Sequence, residues 1–425
     1  MLKRIHAIAK KTTLLAKKDI PVPSWSDVLS YLKKIAHIPC TTALFILIIF
    51  LPIIQNGITF FTDIDFSGDL SGYFDAPQKI IDFSPRAYAN RDFQKKFEKG
   101  FNTEIPSRER YIRLYNQIQF SFFRLTPNRI IGENTDLFEL SYIDAECGLS
   151  SKNDFSILEN FKELEVYANH LQSIQSKLHK IGKHFIFYTT PSKATYKYND
   201  IPLKYRLKKK SNYKTPYFYL KELITSRNIN YIDSRDYISN DSFPVFYTTG
   251  IHWARPIEQR ISQAIVEKMR VLSNQNLPRI ILKDIKSSKR PFRRDADLFL
   301  LANIISKPSG TFYEYKTSIE KDQNFSTPKF LIQGGSFSEG FYSFDYYAYS
   351  NESYKFFYDK IFRNKDSQQP MQSWEDINFS TIFNNVDFII IELNEAVILN
   401  YSNGFVKFLD SFLDSFTNKT ATSAG

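Results

Sequence analysis

Cysteine is nearly absent: two residues in 425, Cys40 and Cys147. Cys40 sits in a long uncharged run and Cys147 stands alone in the rest, so no intrachain disulfide is expected and no cysteine-based metal site can be built. An oxidising compartment would not demand a disulfide in a chain of this size. Histidine is scarce too, and only His170, His179, His184 and His252 lie beyond residue 61, which leaves few choices for a general base. No internal repeat is visible, so solenoids and propellers are not expected. What is abundant is core material: 43% of residues are hydrophobic and 16% aromatic, unlike a disordered chain. No residue pattern calls for a metal or a cofactor.

The formal net charge is +11. A balance of that sign often marks nucleic-acid binders, but its distribution decides. Residues 1–37 hold eight Lys/Arg against Asp19 and Asp27, a net of +6, and the remainder is only mildly basic. Directly behind this arm, residues 38–61 contain no charged residue. At 1.5 Å per residue such a run spans a hydrocarbon core of roughly 30 Å. Pro39, Pro52 and Gly57 weaken a uniform helix, though membrane helices tolerate them. A cleaved signal peptide would show a shorter apolar region and a small-x-small site, and no good one follows. The reading is an uncleaved single-pass anchor in the inner (plasma) membrane. The basic arm sets the N-terminus in the cytoplasm, and the bulk of the chain is then periplasmic or extracellular. The basic cluster is absorbed by that role, so no nucleic-acid partner is expected.

Beyond the anchor, residues 91–124 read as two helical stretches broken near Pro106. Ile157, Phe161, Leu164, Tyr167, Leu171, Ile174 and Leu178 recur at steps of three and four, one apolar face of a long helix, with Gly182 as its stop. Strands follow at HFIFYTTP (184–191), YIDSRD (231–236), KFLIQG (329–334) and DFIIIELN (387–394). Helices are read at 217–228 and behind Pro256. Residues 272–328 read as irregular and polar, with one apolar helix around 297–305. Short, apolar, β-branched strands alternating with helices predict an α/β fold with a largely parallel sheet.

The chemistry concentrates at LIQGGSFSEG (331–340). Ser336 follows two glycines at the end of a strand, where open α/β sheets bind ligands. The glycines permit a sharp turn and a close approach. The first amides of a following helix would stabilise an oxyanion. Ser336 with Glu339 also fits a helix-capping box, so nucleophile and cap both stand at this point. A nucleophilic serine needs a base. His170 and His179 lie on the long helix and His184 starts a strand. His252, in a strand-to-helix loop before Trp253, is the remaining choice, though a loop histidine with a structural hydrogen bond would look the same. Trp253 is placed to wall a pocket.

Seven segments in order across residues 91–400 resemble the SGNH-hydrolase-like O-acetyltransferases of the alginate AlgJ/AlgX family: FNTEIPSRERYIRLYNQIQ, RIIGENTDLF, FIFYTTPSKATYKYNDIP, FYTTGIHWARP, DADLF, LIQGGSFSEGFY and IIIELNEAVI. The resemblance implies an SGNH-like three-layer α/β/α sandwich with a mostly parallel sheet, here preceded by one transmembrane helix. It implies an anchored O-acetyltransferase acting on an exopolysaccharide or cell-surface glycan. Ser336 would carry the acetyl group and His252 would act as base. Tyr342, Trp253, Lys193 of the Pro-x-Lys segment and Asn394 of the Glu-x-Asn-Glu segment would bind substrate. The partners implied are a polysaccharide acceptor and an acetyl donor delivered by a membrane-bound O-acyltransferase. A carbohydrate esterase with the same site, or a non-catalytic glycan-binding partner, are the alternatives. The domains expected are an arm (1–37), an anchor (38–61), a connecting helical region (62–150), the α/β domain (151–415) and a tail (416–425). One departure stands out. The family's acid lies two residues before the histidine, where this chain has Gly250. Without it the base is weaker, or another carboxylate such as Asp236 or Asp241 substitutes, or the protein is catalytically impaired; the sequence leaves all three open, and the last is the ground for the non-catalytic alternative. Gly250→Asp is expected to raise transfer if the site is merely weakened, and to do nothing or harm if another acid already fills that space.

Overall fold

The computed structural model describes residues 40–61, 69–72, 84–104, 107–153, 158–238, 243–320, 324–343, 353–358, 361–364 and 372–423. The basic arm, Asp241 and Ile157 lie outside them. The chain divides into two compact units, residues 1–69 with 74–110 and residues 70–73 with 111–425. The first unit contains helix α1 (Cys40–Phe61) and helix α2 (Asp92–Glu104). Among the described residues no helix is long and apolar enough to cross a membrane, so the expected transmembrane helix is not supported there. The sequence gives a physical reason: its unbroken apolar run, residues 43–54, already includes Pro52 and is followed by Gln55-Asn56-Gly57, short of the roughly 20 residues of a typical span. α1 itself is 22 residues long and uncharged.

The second unit is built on one sheet. After helix α3 (Arg108–Phe123), a small hairpin of β1 (Ile130–Ile131) and β2 (Leu137–Phe138), and helix α4 (Leu140–Cys147), the long helix α5 spans Leu158–Lys180. Then come β3 (His184–Thr190), α6 (Pro216–Ser226), β4 (Tyr231–Asp233) and α7 (Arg255–Ser273). β5 (Arg279–Ser288), a short helix α8 (Asp297–Leu301) and β6 (Phe312–Glu320) precede β7 (Phe330–Gly334). Helix α9 (Glu339–Ser343), β8 (Tyr354–Phe357), β9 (Ile361–Asn364), α10 (Phe379–Asn384), β10 (Phe388–Asn394) and α11 (Phe405–Ser423) complete it. The strand order is β4-β3-β10-β7-β8-β9. Every pairing is parallel except β8 with β9.

Burial follows the two-residue strand period. In β10, Phe388 and Ile390 face one way, packed with Ile186, Ile332 and the Ile257, Ile261 and Ile265 stripe of α7. Ile389 and Ile391 face the other, packed with Phe187, Leu331, Leu171 of α5 and Leu409 of α11. Both faces being covered explains why these strands are apolar without alternation. The arrangement is an α/β sandwich with a mostly parallel central sheet.

Two expectations change. Residues 272–328 are not merely irregular: β5 and β6 form an antiparallel hairpin with a register shift after Lys283. Its strands are charged and largely exposed, with Ile280 and Phe312 as the buried side chains, so hydrophobicity did not flag it. α11 also runs on to Ser423, through most of the stretch read as a tail.

Ile390 is fully buried between β3 and β7. Ile390→Ala should cost about 2–5 kcal/mol in urea unfolding, from lost burial plus the cavity left behind. The same change at the exposed Ile285 of β5 should stay within about 0.5 kcal/mol.

Candidate active site

Ser336 lies just past β7, in a single 3-10 turn (Ser336–Ser338). The cap position of that turn is taken by Gly335, with no side-chain cap. Ser336 therefore does not cap it. Its Oγ lies 2.7 Å from Nε2 of His252, and Nδ1 of His252 lies 2.6 Å from Oδ2 of Asp297. Burial alone would raise the Asp297 pKa, but its hydrogen bond with the His252 ring and those from the Ile251 and Leu298 amides hold it below its ordinary value. An ionised carboxylate only accepts, so Nδ1 carries the proton and Nε2 accepts from the serine hydroxyl. This is the nucleophile–base–acid order of a serine acyl-transfer site.

The loop bearing His252 is fixed from three directions. Oδ1 of Asp297 accepts from the Ile251 amide at 2.9 Å and from its own helix at Leu298. Thr249 donates through Oγ1 to the Asp295 carbonyl and accepts from the Phe299 amide. From below, the fully buried Lys193 ammonium donates to the carbonyls of Leu137, Tyr247, Thr248 and Gly250 at 2.7–3.1 Å and pairs with Asp136 at 3.1 Å. Burial pushes the Lys193 pKa down to about 8, with Asp136 opposing.

The nucleophile turn is fixed in the same way. Glu392 of β10 is buried and accepts from the Gly335 amide at 2.7 Å and from Thr190 Oγ1 at 2.6 Å. Burial raises its pKa, and these hydrogen bonds partly offset that. A Cβ on Gly334 would sit 2.6 Å from the Glu392 Cβ, so this glycine serves close approach. Arg294 donates to the Ser336 carbonyl at 2.6 Å while its other arm holds the buried Glu258 at 2.9 Å. The Ser336 and Phe337 amides belong to the first turn, where a helix supplies no internal acceptor. They are the candidate oxyanion donors.

A pocket of about 60 Å³ opens beside Ser336, with Tyr142, Tyr358, Glu392, Asn394 and Val397 among its walls. With a water needing about 10–15 Å³ on this scale, it admits a group of a few heavy atoms.

The sequence-derived residues separate clearly. Ser336 and His252 come together. Asn394 lines the pocket, but its side chain is spent on Thr190, the Pro191 carbonyl and the Ala396 amide. Trp253 is not among the walls of that pocket: it is buried, edge-on to Phe337 at 5.4 Å, and lines a smaller cavity of about 20 Å³ with His252. Lys193 is a buried brace and does not reach substrate. The Tyr342 side chain lies outside the described residues. Asp236 is exposed and is not on the His252 ring. The missed acid is Asp297, 45 residues beyond its histidine. It sits in the DADLF segment, and its only local signal is an acid at the first position of a short helix.

No family model matches the chain, and no curated protein matches it. Among solved structures it resembles the O-acetyltransferase domain of Pseudomonas putida AlgJ at 13% identity and a TM-score of 0.42, covering 67% of this chain and 99% of that one. It resembles Pseudomonas aeruginosa AlgX at 13% and 0.38, over 63% of this chain and 62% of that one. It resembles Bacillus cereus PatB1, solved with a sulfonyl adduct, at 11% and 0.38, over 58% and 92%. At these values the likenesses carry neither activity nor site residues over to this chain.

Gly250 has no room for the acid expected there. A Cβ would meet the Arg294 and Asp295 carbonyl oxygens at 2.8 Å each. Gly250→Asp should therefore lower both ester turnover and the melting temperature. Asp297→Asn should keep the fold and lower kcat on an activated acetyl ester by about 10³–10⁴-fold, the scale of a lost acid behind a histidine base.

Proposed function

We propose that this chain is an O-acyltransferase that moves a short acyl group, acetyl foremost, onto a hydroxyl of an exopolysaccharide or cell-surface glycan. The observation that carries the reading is the Ser336–His252–Asp297 relay at 2.7 and 2.6 Å. Ser336 Oγ attacks the donor carbonyl as its proton passes to Nε2 of His252. The oxyanion is held at the Ser336 and Phe337 amides. Its collapse expels the donor's leaving group, which takes the proton from Nε2, and leaves Ser336 acylated. A sugar hydroxyl then attacks the acyl carbon, passing its proton to Nε2. Ser336 Oγ departs, recovers that proton, and the sugar ester is released. Asp297 stays ionised and stabilises the imidazolium in both half-reactions. The small pocket supports a short acyl group.

The likeness to an O-acetyltransferase domain agrees with this reading and does not carry it. Water in place of the sugar hydroxyl gives the esterase alternative, and acetate release without an acetylated product would mark it. Gly250 was the ground for a non-catalytic partner, and Asp297 removes that ground.

The proposal includes anchoring by the first unit. The N-terminus is cytoplasmic and the α/β unit lies in the periplasm or outside, where a membrane-bound O-acyltransferase supplies the acyl donor. The support is the basic arm of residues 1–37 and the uncharged run behind it.

A sulfonyl fluoride should add once to wild type, at Ser336 by peptide mass, and not to Ser336→Ala or to His252→Ala. Acetyl transfer from an activated ester to an oligosaccharide should be lost in both variants, to background or about 10⁶-fold. Equal behaviour of wild type and Ser336→Ala overturns the enzyme reading. Separately, a reporter fused after Gly425 should be active only outside the cytoplasm, and cytoplasmic activity overturns the anchored topology.

A further inference from the structure

Two walls of the pocket beside Ser336 are built on backbone that side chains seldom adopt. One is Tyr358, directly after β8, with φ 56°. The other carries Ser402 and Asn403, in a run where Tyr401, Ser402 and Asn403 follow one another at φ 45°, 53° and 52°. Left-handed backbone is uncommon for residues other than glycine and gathers at functional sites. One buried amide holds both walls. Gln333, on β7 three residues before the nucleophile, donates through Nε2 to the Tyr358 carbonyl at 3.2 Å and to the Ser402 carbonyl at 3.4 Å. The Tyr358 amide donates to the Gly334 carbonyl at 3.0 Å, and Ser402 Oγ shares a hydrogen bond of 2.7 Å with the Tyr167 hydroxyl of α5.

The polar groups these walls present are unspent. Tyr142 is buried, yet among the described residues its hydroxyl has no hydrogen-bond partner, and neither have the Tyr358 hydroxyl or the Asn400 and Asn403 side chains. The Tyr358 ring is 40% exposed, and its hydroxyl edge lies over the nucleophile turn: a Cβ on Gly335 would meet the ring at 3.0 Å and the hydroxyl at 3.3 Å. The pocket takes only a few heavy atoms, enough for the acyl group and the attacking carbinol. The rest of an acceptor then lies outside, against this ring. A pyranose suits that division. Its C–H face packs on an aromatic ring, and its hydroxyls both donate and accept, matching uncharged hydroxyl and amide groups. Charge narrows the class. Among the described residues no Lys or Arg lines the pocket, and the one acid in its walls is the buried Glu392. Lys355, whose field reaches Glu392, is buried in β8 and paired with Glu339. A uronate carboxylate brought here would meet an acid with no countercharge. We infer that Tyr358, with Tyr142, Asn400 and Asn403, forms the acceptor subsite, that it takes an uncharged pyranose, and that Gln333 is its positioning residue. The inference rests on the acyl-transfer reading above and names the class of acceptor for it.

The test acylates the full chain with p-nitrophenyl acetate and reads how the acyl-enzyme divides between acetate and acetylated sugar. That division does not depend on how fast the enzyme was acylated. The acceptors are tetrasaccharides of glucose, mannose and galactose, each beside its uronate counterpart, which differs in the charged group at C6. The neutral acceptor should be used with a KM at least about tenfold below that of its uronate. Equal or better use of the uronates overturns the inference. Glycine adopts φ 56° without strain, so Tyr358→Gly should keep its melting temperature. The share passed to sugar should fall at least about tenfold in this variant, with the loss lying in the KM for sugar. Asn403→Gly likewise suits its φ of 52° and should lose at least about threefold. A division in Tyr358→Gly within about twofold of wild type overturns the inference and leaves the transferase reading standing. If Tyr358→Gly does not fold, the same criterion applies to Asn403→Gly. If wild type releases acetate and acetylates none of these acceptors, the transferase reading fails and this inference with it.

Discussion

The carboxylate of Asp297 acts on two things at once, and the site depends on both. Oδ2 holds the imidazole of His252, and Oδ1 holds the Ile251 amide one residue earlier in the same loop. Ring orientation and backbone position are thus set by one group. An imidazole free to rotate would offer Nε2 to Ser336 only part of the time, and a base is effective only within hydrogen-bond reach of the proton it takes. Because Asp297 opens its own helix, its position is fixed by backbone as well as by side chain.

Around that carboxylate, buried and half-buried charges do what apolar packing cannot. Lys193 gathers four carbonyls beneath the His252 loop. Glu392 receives the Gly335 amide behind the nucleophile, and Arg294 takes the Ser336 carbonyl. Lys193 and Glu392 are buried ions, costly to desolvate and returning little net stability, while Arg294 is half-buried. What each supplies is direction: a loop that must stay irregular, because it carries functional side chains, has its backbone groups satisfied by a fixed partner. The polarity of such positions in a sequence is easily mistaken for substrate contact. Lys193 shows why. An ammonium beside a site and an ammonium beneath it look the same in a string of residues. Only its four carbonyl partners distinguish them.

The sheet was legible because burial on both faces leaves long apolar runs. Residues 184–190, 330–334 and 388–394 are such runs, and the α5 stripe repeats at helical spacing. Ser336 and His252 were legible because a serine behind paired glycines at a strand end, and a loop histidine in a chain with few histidines, narrow the choice. Asp297 was not. Its partnership with His252 is a tertiary event spanning 45 residues, and locally it is one acid among several on a short helix. The β5–β6 hairpin was missed for a related reason. It lies off the main sheet with few buried side chains, so its strands show no strong period. Trp253 packs inward, where Phe337 gives it a partner, while one side of it still lines a small cavity beside His252.

The absence of an acid at position 250 and the presence of one at 297 are one geometric fact. The Arg294 and Asp295 carbonyls occupy the volume that a side chain at 250 would enter. The same segment, two residues further on, presents Asp297 to the ring from its own helix. The backbone that excludes the local acid therefore delivers the distant one. An imidazole requires only that an acceptor lie on Nδ1 with the right direction. It is indifferent to which loop supplies it. A glycine at 250 is then a packing requirement of the 293–297 segment, which must come close enough for a hydrogen bond of 2.6 Å. The loop pair 249–252 and 295–299 is stitched through Thr249, Ile251 and Phe299, so neither half of the exchange can be altered without moving the other.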